Sequence, residues 1–288
     1  MFVRIFKVLR IDNWSKNLII FIPYLLSGKL ALDEFMNLIY VFLSFSLVVS
    51  STYIFNDFVD IKSDKMHPTK KYRPIASGSQ TKVFWTICAL ISFFIGNFFL
   101  NQINTQLLIY SFTYVLVTVT YSIYFKYIKF LDIISIAFLF LIRLFLGGST
   151  TNTPISYWLM LFIFFTCLGL ISGKKLSILL NIDIKNSKIK EFLENTYKII
   201  ELKNLIKFSF IFSVATYLFW ILFVNFSDIL SAKFLALSGS VICLIYFLTQ
   251  FYSASNIGET EDIVKNIQNK NNFFSLLIFS ALTLWSLH

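Results

Sequence analysis

Most of this chain consists of apolar stretches long enough to cross a lipid bilayer, and that feature leaves few folds open to it. Nine stretches stand out, at roughly 17–32, 38–56, 82–100, 106–125, 131–149, 155–173, 206–226, 232–252 and 272–287. Backbone in hydrocarbon must satisfy its own hydrogen bonds, so spans of this length are helices. The expectation is an all-α polytopic membrane protein with nine transmembrane helices, forming one domain over residues 1–288. With 57% hydrophobic and 14% charged residues, and 35 Phe, the composition is far from that of a soluble domain.

The cations divide unevenly between alternate connections. One side holds Arg4, Lys7, Arg10 and Lys16, six cations from Lys62 to Lys82, Lys126 and Lys129, eight from Lys174 to Lys207, and Lys265 and Lys270. The other side holds Lys29 and Lys233, and Arg143 falls inside a span. Positive residues stay inside, so the N-terminus is expected in the cytoplasm, the C-terminus outside, and the protein in the cell inner (cytoplasmic) membrane. The net charge of +10 sits in short loops between apolar spans, which suits anionic lipid headgroups and phosphorylated substrates and argues against nucleic acid. Cys88, Cys167 and Cys243 lie within spans without a CxxC pair, so they read as packing residues. No small-residue cleavage site follows the basic N-terminus, which reads as an uncleaved first segment.

Asn56 to Gly78, NDFVDIKSDKMHPTKKYRPIASG, is the longest polar stretch between two spans. Asp57, Asp60 and Asp64 are spaced i, i+3 and i+7, and share one face if the preceding helix continues. Three carboxylates beside a bilayer are costly unless a cation is bound between them. Lys62, Lys65, Lys70, Lys71 and Arg73 follow directly. Hard oxygen ligands beside cationic donors point to Mg²⁺ holding a diphosphate, against the plainer reading of a solvated, mixed-charge loop.

Other polar groups gather at the same expected face. Trp14, Lys16 and Asn17 read either as an interfacial anchor or as part of the site. Tyr121, Ser122, Lys126 and Asp132 stand at one helix end, and Lys126 is open to the plain reading of a positive-inside flank. Arg143, inside an apolar span, needs a partner or a polar cavity. Asp132 is eleven residues away, about 16 Å along a helix, too far for direct contact. Lys174 and Lys175 serve as a flank or as a phosphate clamp. The segment from Ile184 to Lys207, with Glu191, Glu194 and Glu201 among lysines, reads as an amphipathic lid or a solvated connector. His67 is the only internal histidine, so no Ser-His-Asp arrangement can be built, and Walker-type and Rossmann glycine patterns are absent. Polar groups at one face rather than at mid-membrane favour an enzyme over a channel or transporter.

NDFVDIKSD matches the NDxxDxxxD signature of the UbiA superfamily of intramembrane prenyltransferases, which the chain therefore resembles, and RPIASG resembles the RPxxSG that follows it there. LRIDNWSKN, HPTKKYRPIASG, YSIYFK with LDIISIAFLFLIRLFLGG, and SGKK are similar to the polyprenyl-phosphate phosphoribosyltransferase branch, typified by decaprenyl-phosphate phosphoribosyltransferase. These motifs cover most of residues 9–176. The resemblance implies a UbiA-like bundle with a cytoplasm-facing polar cavity. It also implies Mg²⁺-dependent transfer of 5-phosphoribosyl from phosphoribosyl diphosphate (PRPP) to a polyprenyl phosphate, with release of pyrophosphate. By the same resemblance, Asp57, Asp60 and Asp64 with Asn56 would hold Mg²⁺ and the diphosphate. Lys71 and Arg73 would bind the leaving group or 5-phosphate, and Lys126, Arg143, Lys174 and Lys175 would receive phosphates. Lys126 counts with the aspartates as catalytic, while Lys16, Asn17 and Tyr121 line the same mouth. The chain carries no second run of spaced carboxylates, which tells against a typical aromatic prenyltransferase. Transfer of an isoprenyl group to an aromatic or other acceptor is the alternative, and a transporter or lipid-binding protein that has lost catalysis is a third reading.

Overall fold

The computed structural model describes residues 8–28, 31–66, 70–181, 188–224 and 232–287. Of the residues invoked from the sequence, Arg4, Lys7, Lys29, His67 and the start of the 184–207 segment lie outside the described residues.

All regular elements among the described residues are helical. A 3-10 helix at Ile11–Phe21 runs into α1 (Ile22–Leu26), followed by α2 (Leu32–Val59), α3 (Ile61–Met66), α4 (Lys82–Ile103), α5 (Gln106–Ile123) and α6 (Leu131–Thr150). Next come α7 (Tyr157–Leu180), α8 (Lys188–Thr196), α9 (Ile199–Val224), α10 (Ala232–Asn256), α11 (Ile263–Gln268) and α12 (Lys270–Leu287). Short 3-10 turns stand at Lys70–Tyr72 and Phe125–Tyr127.

Seven of these helices, α2, α4, α5, α6, α7, α9 and α10, are long and apolar enough to cross a membrane, and the chain is a multi-span membrane protein. The first and ninth expected spans take other forms. Residues 17–32 do not make one long α-helix: the chain stays in 3-10 form to Phe21 and then makes only five α-helical residues. α12 opens on Lys270, Asn271 and Asn272, which dilute its apolar character.

The chain forms two compact units: residues 1–135, 139–154 and 186–188, and residues 136–138, 155–185 and 189–288. In the first, α2 packs along α4 and α5. A Cβ on Gly96 of α4 would stand 2.6 Å from the Ser44 carbonyl oxygen and 2.8 Å from Val48 Cγ2, so hydrogen is what lets α4 lie so close to α2. Gly147 does the same for α6 against the 3-10 helix, where a Cβ would come within 1.9 Å of the Ile20 carbonyl oxygen. Small polar residues such as Ser46, Ser50 and Thr52 are buried, while Phe94, Phe98, Ile109 and Leu116 are exposed. That inverted pattern is what lipid outside and close helix contact inside require. Thr81 caps α4 by accepting a hydrogen bond from the Phe84 amide at 3.2 Å.

In the second unit α7 packs on α9 and α10, and α10 on α12. Gly169 lies against the ring of Phe210, and Gly173 against Phe251 and Ser255. The turn after α10 is pinned to α7 by Thr260, whose hydroxyl donates to the Gly173 carbonyl at 2.9 Å and whose amide donates to Ser177 Oγ at 3.0 Å. In α8, Leu193 is buried while Glu191 and Glu194 are exposed, an amphipathic arrangement.

Candidate functional site

The polar cluster of the first unit forms where α2 ends. α2 stops at Val59, Asp60 takes φ −92° and ψ 3°, and α3 resumes at Ile61. The break redirects one carboxylate of the three. Asp57 and Asp64 stay on a common face and share one cation, Arg73 Nη1 lying 3.2 Å from Asp57 Oδ1 and 2.7 Å from Asp64 Oδ2. Asp60 turns instead to Lys126, whose Nζ donates to its Oδ1 at 2.6 Å. The single face expected from the i, i+3, i+7 spacing therefore holds for two aspartates, because the helix does not continue through the third.

Asp60 is also held from within its own helix. Asn56 Nδ2 donates to Asp60 Oδ2 at 3.1 Å, and buried Ser122 of α5 donates to Asn56 Oδ1 at 3.0 Å. With one amide face anchored to Ser122, the other must point at the carboxylate. Tyr121 is half-buried one position earlier, and Asp132 is buried in the first turn of α6.

Arg10, counted from the sequence only as a flanking cation, also meets Asp57. Its Nη2 donates to Asp57 Oδ1, the same oxygen that Arg73 reaches, and its guanidinium lies 4.9 Å above the ring of Tyr53. Burial pushes the Arg10 guanidinium below its ordinary pKa, and the adjacent Asp57 carboxylate pulls it back up. Arg10 comes into place because the 3-10 helix runs antiparallel to α2: Arg10 faces Asp57, Trp14 Nε1 donates to Ser50 at 3.1 Å, and Asn17 Nδ2 donates to Ser46 at 2.9 Å. With three residues per turn, positions 14, 17 and 20 line one face, and Asn17 and Ile20 are fully buried.

Asn17 and Arg143 are not brought to the carboxylates, contrary to expectation. Arg143 is buried and gives Nε to Asn17 Oδ1 at 2.8 Å, Nη1 to the Leu139 carbonyl at 2.7 Å and Nη2 to the Tyr114 hydroxyl at 2.9 Å. The register decides this: Asn17 meets Ser46, eleven residues and so about 16 Å along α2 from Asp57. The guanidinium makes no ion pair among the described residues, and neutral oxygens and the rings of Tyr114 and Phe140 surround it. Lys16, on a different face from Asn17, donates to Asn13 at 2.7 Å. Lys71 is exposed, with its ammonium 5.1 Å from the ring of Tyr72. In the second unit Lys174 is exposed and Lys175 buried on α7.

Among the described residues no three carboxylate, imidazole or thiol groups stand together as a metal cage. Asp57 and Asp64 nevertheless converge on one cation. One or two carboxylates completed by substrate phosphate oxygens is the usual way Mg²⁺ is held, so this donor set fits that ion.

A model of the UbiA prenyltransferase family matches residues 18–269. An uncharacterised protein of Sinorhizobium fredii, y4nM, is 36% identical over 56% of this chain and 32% of its own length. Decaprenyl-phosphate phosphoribosyltransferase of Corynebacterium glutamicum is 30% identical over 66% of this chain and 58% of its own. The matched region is thus less than two thirds of either relative. A UbiA homolog from Archaeoglobus fulgidus, solved bound to DMAPP and Mg²⁺, superposes with a TM-score of 0.71 over 99% of both chains at 14% identity, a likeness of fold.

Proposed function

Because the chain belongs to the UbiA prenyltransferase family, we propose that it transfers 5-phosphoribosyl from PRPP to a polyprenyl phosphate, releasing pyrophosphate, with Asp57, Asp60 and Asp64 at the reacting end. The observation that carries the reading is the set of three carboxylates from the last turn of α2 to α3, paired with cations from elsewhere in the chain: Arg10, Arg73 and Lys126. Such a set is charge-balanced by itself and gains net positive character once a divalent metal joins it, which suits a diphosphate. The relatives named decaprenyl-phosphate phosphoribosyltransferase support this donor and acceptor over an isoprenyl diphosphate and an aromatic acceptor.

Asp57 and Asp64 would hold Mg²⁺, which when bound neutralises charge on the diphosphate oxygens. Arg73 and Lys126, released from carboxylate to phosphate, hold the departing pyrophosphate. The C1–O bond breaks with its electron pair on the leaving oxygen, and a polyprenyl-phosphate oxygen forms the new bond to C1. That oxygen is anionic at neutral pH, so no strong general base is needed. Asn56 keeps Asp60 on Lys126. Lys16, Lys71 and Tyr121 are proposed as further groups around the substrates, and Lys174 and Lys175, in the second unit, are proposed as phosphate-binding groups. Asn17 and Arg143 are given a supporting role, tying the 3-10 helix to α5 and α6. In the same proposal the chain is one UbiA-like domain of the inner membrane with nine membrane passes, a cytoplasm-facing cavity, its N-terminus in the cytoplasm and its C-terminus outside.

Membranes containing the protein, supplied with labelled PRPP and a polyprenyl phosphate, are expected to form a labelled lipid. Mg²⁺ chelation and Asp57→Ala are each expected to abolish it. Undiminished labelling by Asp57→Ala sinks the assignment of the site. Product from an isoprenyl diphosphate, with none from PRPP, sinks the donor.

A further inference from the structure

We infer that Trp85, on α4, is a positioning residue of the proposed reaction: its indole is the floor that fixes Arg73 and the aspartates of α2 and α3 at their spacing. Trp85 is the largest fully buried side chain among the described residues. It shares one apolar cluster with buried Val8, Ile54 and Ile75, and Ile61 packs against that cluster. Each of these neighbours stands close in sequence to a charge of the site. Val8 is two positions before Arg10, Ile54 three before Asp57, Ile61 three before Asp64 and Ile75 two after Arg73. The segments that bring charges of both signs together are therefore seated on a single apolar base.

The dependence is sharpest for Arg73. The turn from Arg73 to Ser79 closes on itself: the Ser77 amide donates to the Arg73 carbonyl at 2.8 Å, the Gly78 amide to the Ile75 carbonyl at 3.3 Å, and the amide and hydroxyl of Ser79 both donate to the Pro74 carbonyl. Those bonds stiffen the turn without tying it to a helix. Apart from the Arg73 side chain itself, burial of Ile75 and Ala76 is what seats it. The indole N–H of Trp85 has no acceptor among the described residues. An unpaired buried donor is destabilising, so the ring contributes through the space it fills and not through a bond. Support of this kind matters to a reaction because a displacement of about 1 Å can lower a rate about a hundredfold.

The inference rests on the proposed function in taking these charges as the reacting end, so one readout uses no substrate. It is the double-mutant coupling between Arg73→Met and Asp64→Asn, taken from unfolding of the full chain in detergent. In a Trp85→Leu background this coupling is expected to fall by more than half, and kcat/KM for transfer from PRPP, per folded protein, by about ten- to a hundredfold. Trp85→Phe keeps an aromatic ring and drops the unpaired N–H, and is expected to hold the coupling and most of the rate. Leu107→Ala opens a void in another apolar cluster of the first unit and is the control, expected to lose stability with coupling and rate per folded protein unchanged. Undiminished coupling in Trp85→Leu overturns the inference, and so does an equal fall in Leu107→Ala, which marks a general loosening. Should Trp85→Leu not fold, Ile75→Ala loosens the same cluster from the side of the turn and is judged by the same coupling. Wild-type protein that transfers nothing from PRPP sinks the proposed donor, while a coupling that depends on Trp85 still upholds its placing of the charges.

Discussion

Replacing Arg73 by Met removes the cation that Asp57 and Asp64 share. Arg73 Nη1 is 3.2 Å from one carboxylate oxygen and 2.7 Å from the other, so those oxygens are at most about 6 Å apart. Two unit negative charges at that separation repel by about 3 kcal/mol at an effective dielectric constant of ~20. Solvent screens little of this, since both carboxylate side chains are almost fully buried, and Asp57 alone keeps a second cation, Arg10. Arg73→Met is therefore expected to lose about 3 kcal/mol, and Asp64→Asn in the same background to recover most of it, a coupling of about 2–3 kcal/mol in a double-mutant cycle. The assay is denaturant unfolding in detergent with and without Mg²⁺, and the ion should stabilise the single variant more than the wild type because the carboxylate pair has lost its own cation. An Arg73→Met protein that unfolds at the wild-type midpoint, or a double variant whose effects simply add, refutes the argument.

Gly147→Ala drives a methyl group into the backbone of Ile20 and should cost about 3 kcal/mol or more, seen as loss of folded protein on size-exclusion chromatography. Asn17→Leu removes the acceptor of Arg143 Nε in a buried setting and should cost about 1–3 kcal/mol in the same unfolding assay, while pyrophosphate affinity changes less than twofold. Lys126→Met leaves Asp60 without its ammonium partner and should lower pyrophosphate release from the donor by about 10²–10³-fold, the range seen when one transition-state donor is removed, with lipid-substrate KM little changed.

The class of this protein could be read from one dimension because burial in lipid acts on every residue of a span. Long apolar runs with cations confined to alternate connections specify helices, and the polar insertion after α2 carries its carboxylates in a local motif. The two weakest spans are those whose local chemistry is mixed: Pro23 stands in the first turn of α1, and Lys270 to Asn272 open α12. Pairing is a different matter. Asp60 meets a lysine 66 positions away, Asp57 an arginine 47 positions away, and Arg143 an asparagine 126 positions away. No periodicity connects such residues.

From the sequence alone followed the helical, membrane-spanning character and the presence of an acidic and basic cluster after the second apolar stretch, since both depend on the composition of short windows. Only the tertiary structure decided that Asp60 parts from Asp57 and Asp64, that Arg10 joins the cluster, and that Arg143 settles among neutral oxygens farther along α2. Those outcomes depend on a helix break at Asp60 and on how the 3-10 helix is aligned against α2. That alignment is carried by Trp14 on Ser50 and Asn17 on Ser46, pairs 36 and 29 positions apart, a property of packed helices rather than of any local stretch of chain.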